Sequence, residues 1–450
     1  LMASTYLTRT MSGGSATTTK FTFSAWVKRT GLSSNDGMQI LSVSNEYIYL
    51  GFFADTLRME MHDSDNVRLR SNAVFRDTNA WYHVVFTFDS TQSTASDRMK
   101  MWVNNEQITD FSHSTYPSLN YGSYIGGNTQ HTLGRRENDD SDYFDGIISH
   151  AHLTVGYTYT PSAFGSTDST TGEWKINTSP SVTYGNNGFF ILKDGNSVTD
   201  QSGNSNNFTV GGGTLTNTED CPSNVFCTIN PLFRNRFANT ETLTNGNLTM
   251  TTGPTDGDKA MLLGTIGVTS GKWYWECKAG ADRAQIGFAY NSINRFTDFF
   301  GSNNPSDGFS VYALNGNVYY DGTNTAYGSS WTTNDIIMVA LDMDNKLAWL
   351  GKNGTWFNSA TQTEIENGTA TNDLTTKMGT KQNLNSGEFV FPMFGDSTGT
   401  GDIALNVNFG NGYFGTTAVS SAGTNASNIG IFEYDVPTGY TALSTKGLNL

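Results

Sequence analysis

Five carboxylates crowd into nine residues, Glu137, Asp139, Asp140, Asp142 and Asp145. Calcium is held by about six to eight hard oxygens, and crowded carboxylates resist folding until something neutralises them. Glu137, Asp139, Asp140 and Asp142 are therefore candidate calcium ligands. The alternative is a solvated acidic loop offset by Arg135 and Arg136. Asp63, Asp65 and Asn66 could supply a second wall. All six histidines lie before residue 153. His150 and His152 fall on one strand face at period two, a spacing zinc can use, but no third ligand stands at a useful distance. They read as core or surface residues, and His83, beside Trp81 on a strand, reads as structural.

No residue set points to catalysis. Neither GxSxG nor GxGxxG occurs in usable context, and no Ser-His-Asp arrangement can be inferred. The expectation is a protein that is not an enzyme. Cys221, Cys227 and Cys277 are odd in number and sparse, which favours free thiols over a disulfide framework, although a Cys221–Cys227 bridge is open in sequence terms. Exposed aromatics stack on sugar rings, while Asn and Asp side chains bind their hydroxyls. Of the nine tryptophans, most read as core. Trp331 and Trp356, at strand ends beside Gly/Asn/Thr loops, are the candidates for glycan or partner contact.

The elements that would position these residues are strands. Gly numbers 48, Pro 9, and Thr, Ser, Asn and Asp fill much of the remainder, a composition of short strands joined by polar turns. Residues 331–356 are the clearest case. IIMVAL is branched and apolar, Asp342, Asp344 and Asn345 make a polar turn, and KLAWLGKNG runs to an Asn353-Gly354 hairpin turn. In FTFSAWVKR, Phe21, Phe23, Ala25 and Val27 alternate with Thr22, Ser24, Trp26 and Lys28, which predicts a half-buried strand. The fold class expected is all-β, with two jelly-roll or β-sandwich domains joined by a partly ordered bridge.

Net charge is −15 and no basic run occurs, so nucleic acid is excluded as a partner. No apolar run approaches the ~18 residues of a membrane helix, and none is expected to insert. The N-terminal stretch LMASTYLTRTMSGGSATTT lacks an apolar core, so no secretory signal is expected.

FTFSAWVK, AWYHVVFTFD, MKMWVNNEQI, YIGG and YFDGIISHAHL, in that order, resemble the laminin-G/pentraxin type of concanavalin A-like jelly roll over roughly residues 20–165. Asn104-Asn105 stands where that family has Asn-Gly. The resemblance implies an acidic calcium loop near residues 137–145. It also brings in laminarinase-type glycosidases, whose E-x-D-x-x-E alternates carboxylates onto one sheet face. The nearest string here, Glu137 to Asp142, ends in Asp and reads as a loop, which disfavours a glycoside hydrolase. SGKWYWE (270–276), IGFA (286–289), VALDMDNKLAWLGKNG (339–354), FPMF (391–394) and VNFGNGYF (407–414) resemble a SPRY domain. That family implies partner binding through loops at one end. TPSAFG, GEWK, YGNNGFFI, DQSGNSNNFTV and the P-x-G-Y-x-A-L ending resemble segments of structural proteins of tailed bacteriophages, marine ones especially.

The expected organisation is residues 1–165 laminin-G/concanavalin A-like, 166–238 bridge, 239–415 SPRY-like and 416–450 tail. The expected function is a non-enzymatic bacteriophage virion structural protein, in a tail fibre, appendage or capsid decoration. It would bind host-surface polysaccharide or neighbouring virion proteins through sandwich loops. It would be located in the virion, as a homo-oligomer, with a trimer favoured in a fibre. Calcium is the one cofactor weighed. The alternative is a cellular lectin or adhesin, extracellular or at the cell surface.

Overall fold

The computed structural model describes every residue except 1–4, 33–36, 45–46, 63–66, 138–140, 194–196, 235–240, 253–260, 281–282, 291–307, 321, 379–383, 385–386, 397–403 and 450. Strand takes 46% of the chain and helix 6%, so the all-β expectation holds. The chain divides into two compact units, Leu1–Asn217 with Cys221–Ser223, and Thr218–Asp220 with Asn224–Leu450.

Unit 1 is a sandwich of an eight-stranded and a six-stranded antiparallel sheet. Lys20–Arg29 lies between Trp81–Asp89 and Gly146–Val155 in the smaller sheet, with Phe23 opposite Phe86 and Trp26 opposite His83. Phe21, Phe23, Ala25 and Val27 enter the core between the sheets. The opposite face was expected to meet solvent, yet Thr22, Ser24, Trp26 and Lys28 are also buried. The covering chain is the segment after residue 156. Tyr159 donates its backbone N–H to Thr22 Oγ1 at 2.8 Å, and the hairpin of Gly165–Thr167 and Trp174–Ile176 delivers Trp174 onto His83.

Most of the expected bridge therefore belongs to unit 1. Phe189–Ile191 extends the six-stranded sheet beside Gly146–Val155. Thr209–Gly212 extends the other sheet beside Tyr6–Thr10. A connector with so many backbone groups to satisfy gains more by pairing on open sheet edges than by running loose.

Unit 2 is a second sandwich. Its core gathers Trp275, Phe288, Trp331, Phe394 and Phe409. Ile336–Asp342 and Leu347–Lys352 pair as the hairpin read from the sequence. Asp342 Oδ1 accepts the N–H groups of Asp344 and Asn345 at 3.0 and 2.9 Å, closing the polar turn. Asn353 and Gly354 take φ of 50° and 82°, the paired positive angles of a type I′ turn, before Thr355–Trp356. The expected tail is a structural layer here. Ile429, Phe432, Val436 and Tyr440 pack with Tyr274, Met338, Ala340 and Trp349 on the outer face of the sheet that holds Lys272–Ala279, Ile336–Asp342 and Leu347–Lys352, and Thr441–Ala442 adds a parallel strand beside Lys272–Ala279.

Candidate ligand-binding clefts

The structure separates the two tryptophans expected to meet a ligand. Trp331 is 2% exposed and stacks on Phe357, centroids 6.2 Å apart. It is a core residue, because the chain that follows Trp356 folds back over it, and the expectation of a contact face at Trp331 is corrected. Trp356 is largely buried too, but it lines a cleft. Its Nε1 donates to Gln362 Oε1 at 3.0 Å.

Of the candidate calcium ligands, Asp139 and Asp140 lie outside the described residues, as do Asp63, Asp65 and Asn66. Glu137 accepts from Gln130 Nε2 at 2.5 Å and from Thr132 Oγ1. Asp142 stands 4.0 Å from the Arg136 guanidinium. Among the described residues no group of three or more His, Cys, Asp or Glu converges as a metal site.

Two clefts carry more chemistry. The first, in unit 1, has a volume of about 440 Å³ and is lined by residues 13–15, Thr17, Thr18, Gly126, 155–157 and 185–187. Among the described residues no charged side chain lines it. Asn187 is buried and ties the segments together: its Oδ1 accepts from Gly13 N at 2.9 Å, and its Nδ2 donates to Gly126 O at 2.8 Å. His131 fixes Gly126 from behind, accepting its N–H at Nε2, 2.8 Å away, while Nδ1 donates to Thr129 O. That pattern needs a neutral imidazole, and burial pushes His131 down to about 4. What remains open to a ligand is the half-exposed Tyr157 ring with the Ser15, Thr17 and Asn186 side chains, for which no partner is seen among the described residues.

The second cleft, in unit 2, has a volume of about 410 Å³. Its wall comprises Met338, Trp356, Gln362, Glu366, Tyr434 and Asp435, with Gly354, Thr424, Val436 and Thr438 beside them. Thr361 caps the short Gln362–Glu366 helix that carries two of these side chains. The C-terminal layer that supplies Tyr434 and Asp435 is anchored by Glu276. The Glu276 carboxyl is fully buried and accepts from Tyr274 Oη at 2.9 Å and from the backbone N–H groups of Glu433 and Tyr434 at 2.8 and 2.9 Å. Burial pushes it up to about 7, against the pull of those donors.

The sequence profile of the concanavalin A-like lectin/glucanases superfamily, laminin G type, matches residues 3–162, and that of the SPRY domain matches residues 272–374. The chain carries a concanavalin A-like domain followed by a SPRY domain. Among solved structures it is similar to the SPRY domain of human HERC1, at 22% identity over 40% of this chain and 96% of that one, TM-score 0.30. It is also similar to stonustoxin, at 18% identity over 40% of this chain and 27% of that one, TM-score 0.28. A human SPRY domain matches at 13% identity over 37% of this chain and 93% of that one, TM-score 0.27. No curated protein matches the chain.

In the concanavalin A-like domain one pair has the look of a nucleophile and its base. Ser24 Oγ lies 2.8 Å from His83 Nε2. Trp174 Nε1 donates to His83 Nδ1 at 3.0 Å, so Nδ1 carries a lone pair and the ring's single proton sits on Nε2, pointing at Ser24. A ring in that tautomer cannot take the serine proton. Both residues are fully buried, and burial lowers His83 to about 3, which keeps it neutral. Trp26 stacks on the imidazole, with ring centroids 4.9 Å apart, and the Trp174 ring lies near-parallel to it at 5.9 Å, at the edge where it donates to Nδ1. His83 is structural, as its place beside Trp81 suggested. His150 and His152 stand 6.5 Å apart between ring centroids, with Ser149 and Tyr184 as their respective hydrogen-bond partners. All three cysteines are free thiols.

The residues lining both clefts come from distant parts of the chain. Tyr157, Asn186 and Asn187 escaped the sequence reading, since each stands in a Gly/Asn/Thr stretch that looks like ordinary turn. The one available signal was the single glycines that flank them, Gly156, Gly185 and Gly188.

Proposed function

We propose that the chain is a non-enzymatic binding protein that takes a neutral glycan in the cleft of its concanavalin A-like domain. The observation that carries this is the cleft's chemistry. Hydroxyls and amides both donate and accept, as sugar hydroxyls do, and Tyr157 offers an aromatic face for a pyranose ring. No charge favours an anion or a cation there. A concanavalin A-like domain and a SPRY domain together fit a binding or adhesion role.

The finer assignment is to a bacteriophage particle, as a fibre, appendage or capsid decoration that contacts host-surface polysaccharide or neighbouring virion proteins. Its support is the resemblance of residues 158–235 and of the Pro437–Leu443 ending to phage structural proteins. A calcium ion at Glu137, Asp139, Asp140 and Asp142 belongs to the same proposal, with Asp142 already partly neutralised by Arg136.

Glycan-array binding by the full chain tests the first part. Tyr157→Ala and Asn186→Ala should each weaken the retained sugars at least tenfold, while an array with no bound sugar overturns the glycan assignment. Release of reducing ends from host polysaccharide would sink the non-enzymatic part. Gold-labelled antibody should decorate phage particles; bare particles return the chain to a cellular lectin or adhesin.

A further inference from the structure

We propose that the SPRY-domain cleft beside Trp356 is a receptor for a cationic side chain, a lysine or arginine presented by a protein partner. Among the described residues two carboxylates line it, Glu366 and Asp435, and no lysine, arginine or histidine does. Each carboxylate is held by one oxygen. Glu366 Oε1 accepts from the Thr438 backbone N–H at 2.9 Å. Asp435 Oδ1 accepts from Thr424 N at 2.7 Å and Thr424 Oγ1 at 2.8 Å. The second oxygen of each has no hydrogen-bond or ion-pair partner among the described residues. Nearby Lys272 is committed elsewhere, to the Glu366 backbone carbonyl at 3.2 Å and to Asp342 at 3.2 Å.

The rest of the wall suits the same guest. Trp356 and Tyr434 are aromatic, and rings attract ammonium and guanidinium groups through their electron-rich faces. Met338 and Val436 are apolar, and a lysine or arginine stem lays its methylenes along such surface while its head stays polar. A sulfate or phosphate would meet two negative charges with no compensating cation. The cleft lies wholly within unit 2, between the C-terminal layer and the Trp356–Glu366 segment, so the proposal stands apart from the glycan cleft and either can fail without the other.

Saturation-transfer NMR on the intact chain tests it, with blocked Gly-Gly-Lys-Gly-Gly, Gly-Gly-Arg-Gly-Gly and Gly-Gly-Gln-Gly-Gly peptides as probes and spermidine alongside. Transfer should reach the terminal methylenes of Lys or Arg, be absent for the Gln peptide, and fall with added salt. Glu366→Gln with Asp435→Asn keeps the oxygens that accept from Thr438 and Thr424, so the fold is retained, and should weaken transfer at least tenfold. Undiminished transfer in that double variant, equal transfer to the Gln peptide, or no transfer to any peptide overturns the proposal. Binding of spermidine without either cationic peptide overturns the protein source.

Discussion

At the scale of single residues, Glu276 is the group whose state matters most to stability. Burial pushes its carboxyl up to about 7 in the folded chain, from the ordinary 4.5 of a solvated glutamate. A folded-state pKa above the unfolded one gives stability that is complete below about 4.5 and is lost as pH rises through 7. The difference corresponds to about 3 kcal/mol at most. Urea unfolding of the SPRY domain should therefore show falling stability between pH 5 and 8. Glu276→Gln, which resembles the protonated acid, should flatten that slope; an equal slope in the variant would place the titration elsewhere. Trp331 and His83 teach a related point. Each looks chemically capable in isolation, and each is neutralised by what packs on it, Phe357 in one case and Trp26 with the Trp174 hydrogen bond in the other.

At the scale of elements, turns and hairpins set the geometry around the clefts. The Asn353-Gly354 turn places Trp356, and the Tyr434 ring lies 3.2 Å from where a Gly354 Cβ would stand. Gly354→Val adds a branched side chain where φ is +82°, and should cost about 1–3 kcal/mol while disturbing the cation cleft, measurable as a lower melting temperature and weaker peptide transfer. The acidic loop is the second element at issue. Calcium held by residues 137–145 predicts that chelation lowers the melting temperature of the concanavalin A-like domain. An unchanged melt would leave the neutralisation to arginine, with Arg136 already beside Asp142.

At the scale of the whole molecule, segments after each sandwich complete it. Residues 157–212 cover one face and extend both sheets of unit 1. Residues 424–442 form a layer over Tyr274, Met338 and Trp349 in unit 2. Deleting 416–450 would bare that apolar surface and strip Glu276 of two backbone donors. The truncated chain should bind the hydrophobic dye ANS and unfold less cooperatively; a truncation that melts like the full chain would show the layer to be dispensable.

Periodicity and turn chemistry are local, and the sequence alone determined what depends on them. The alternation of Phe21, Phe23, Ala25 and Val27, the Asp342 turn, the Asn353-Gly354 hairpin and the ordered SPRY-like motifs were all legible, because strand face and turn type follow from neighbouring residues. The same alternation suggested that Ser24 and Trp26 met solvent. Only the tertiary structure decided otherwise, since the covering chain comes from more than 130 residues away. The clefts were invisible for the same reason. Gly13, Gly126, Tyr157 and Asn187 meet only when the sheets close, and Trp356 meets Asp435 only when the C-terminal layer folds down. Burial and convergence are properties of long-range packing, which carries no period along the chain.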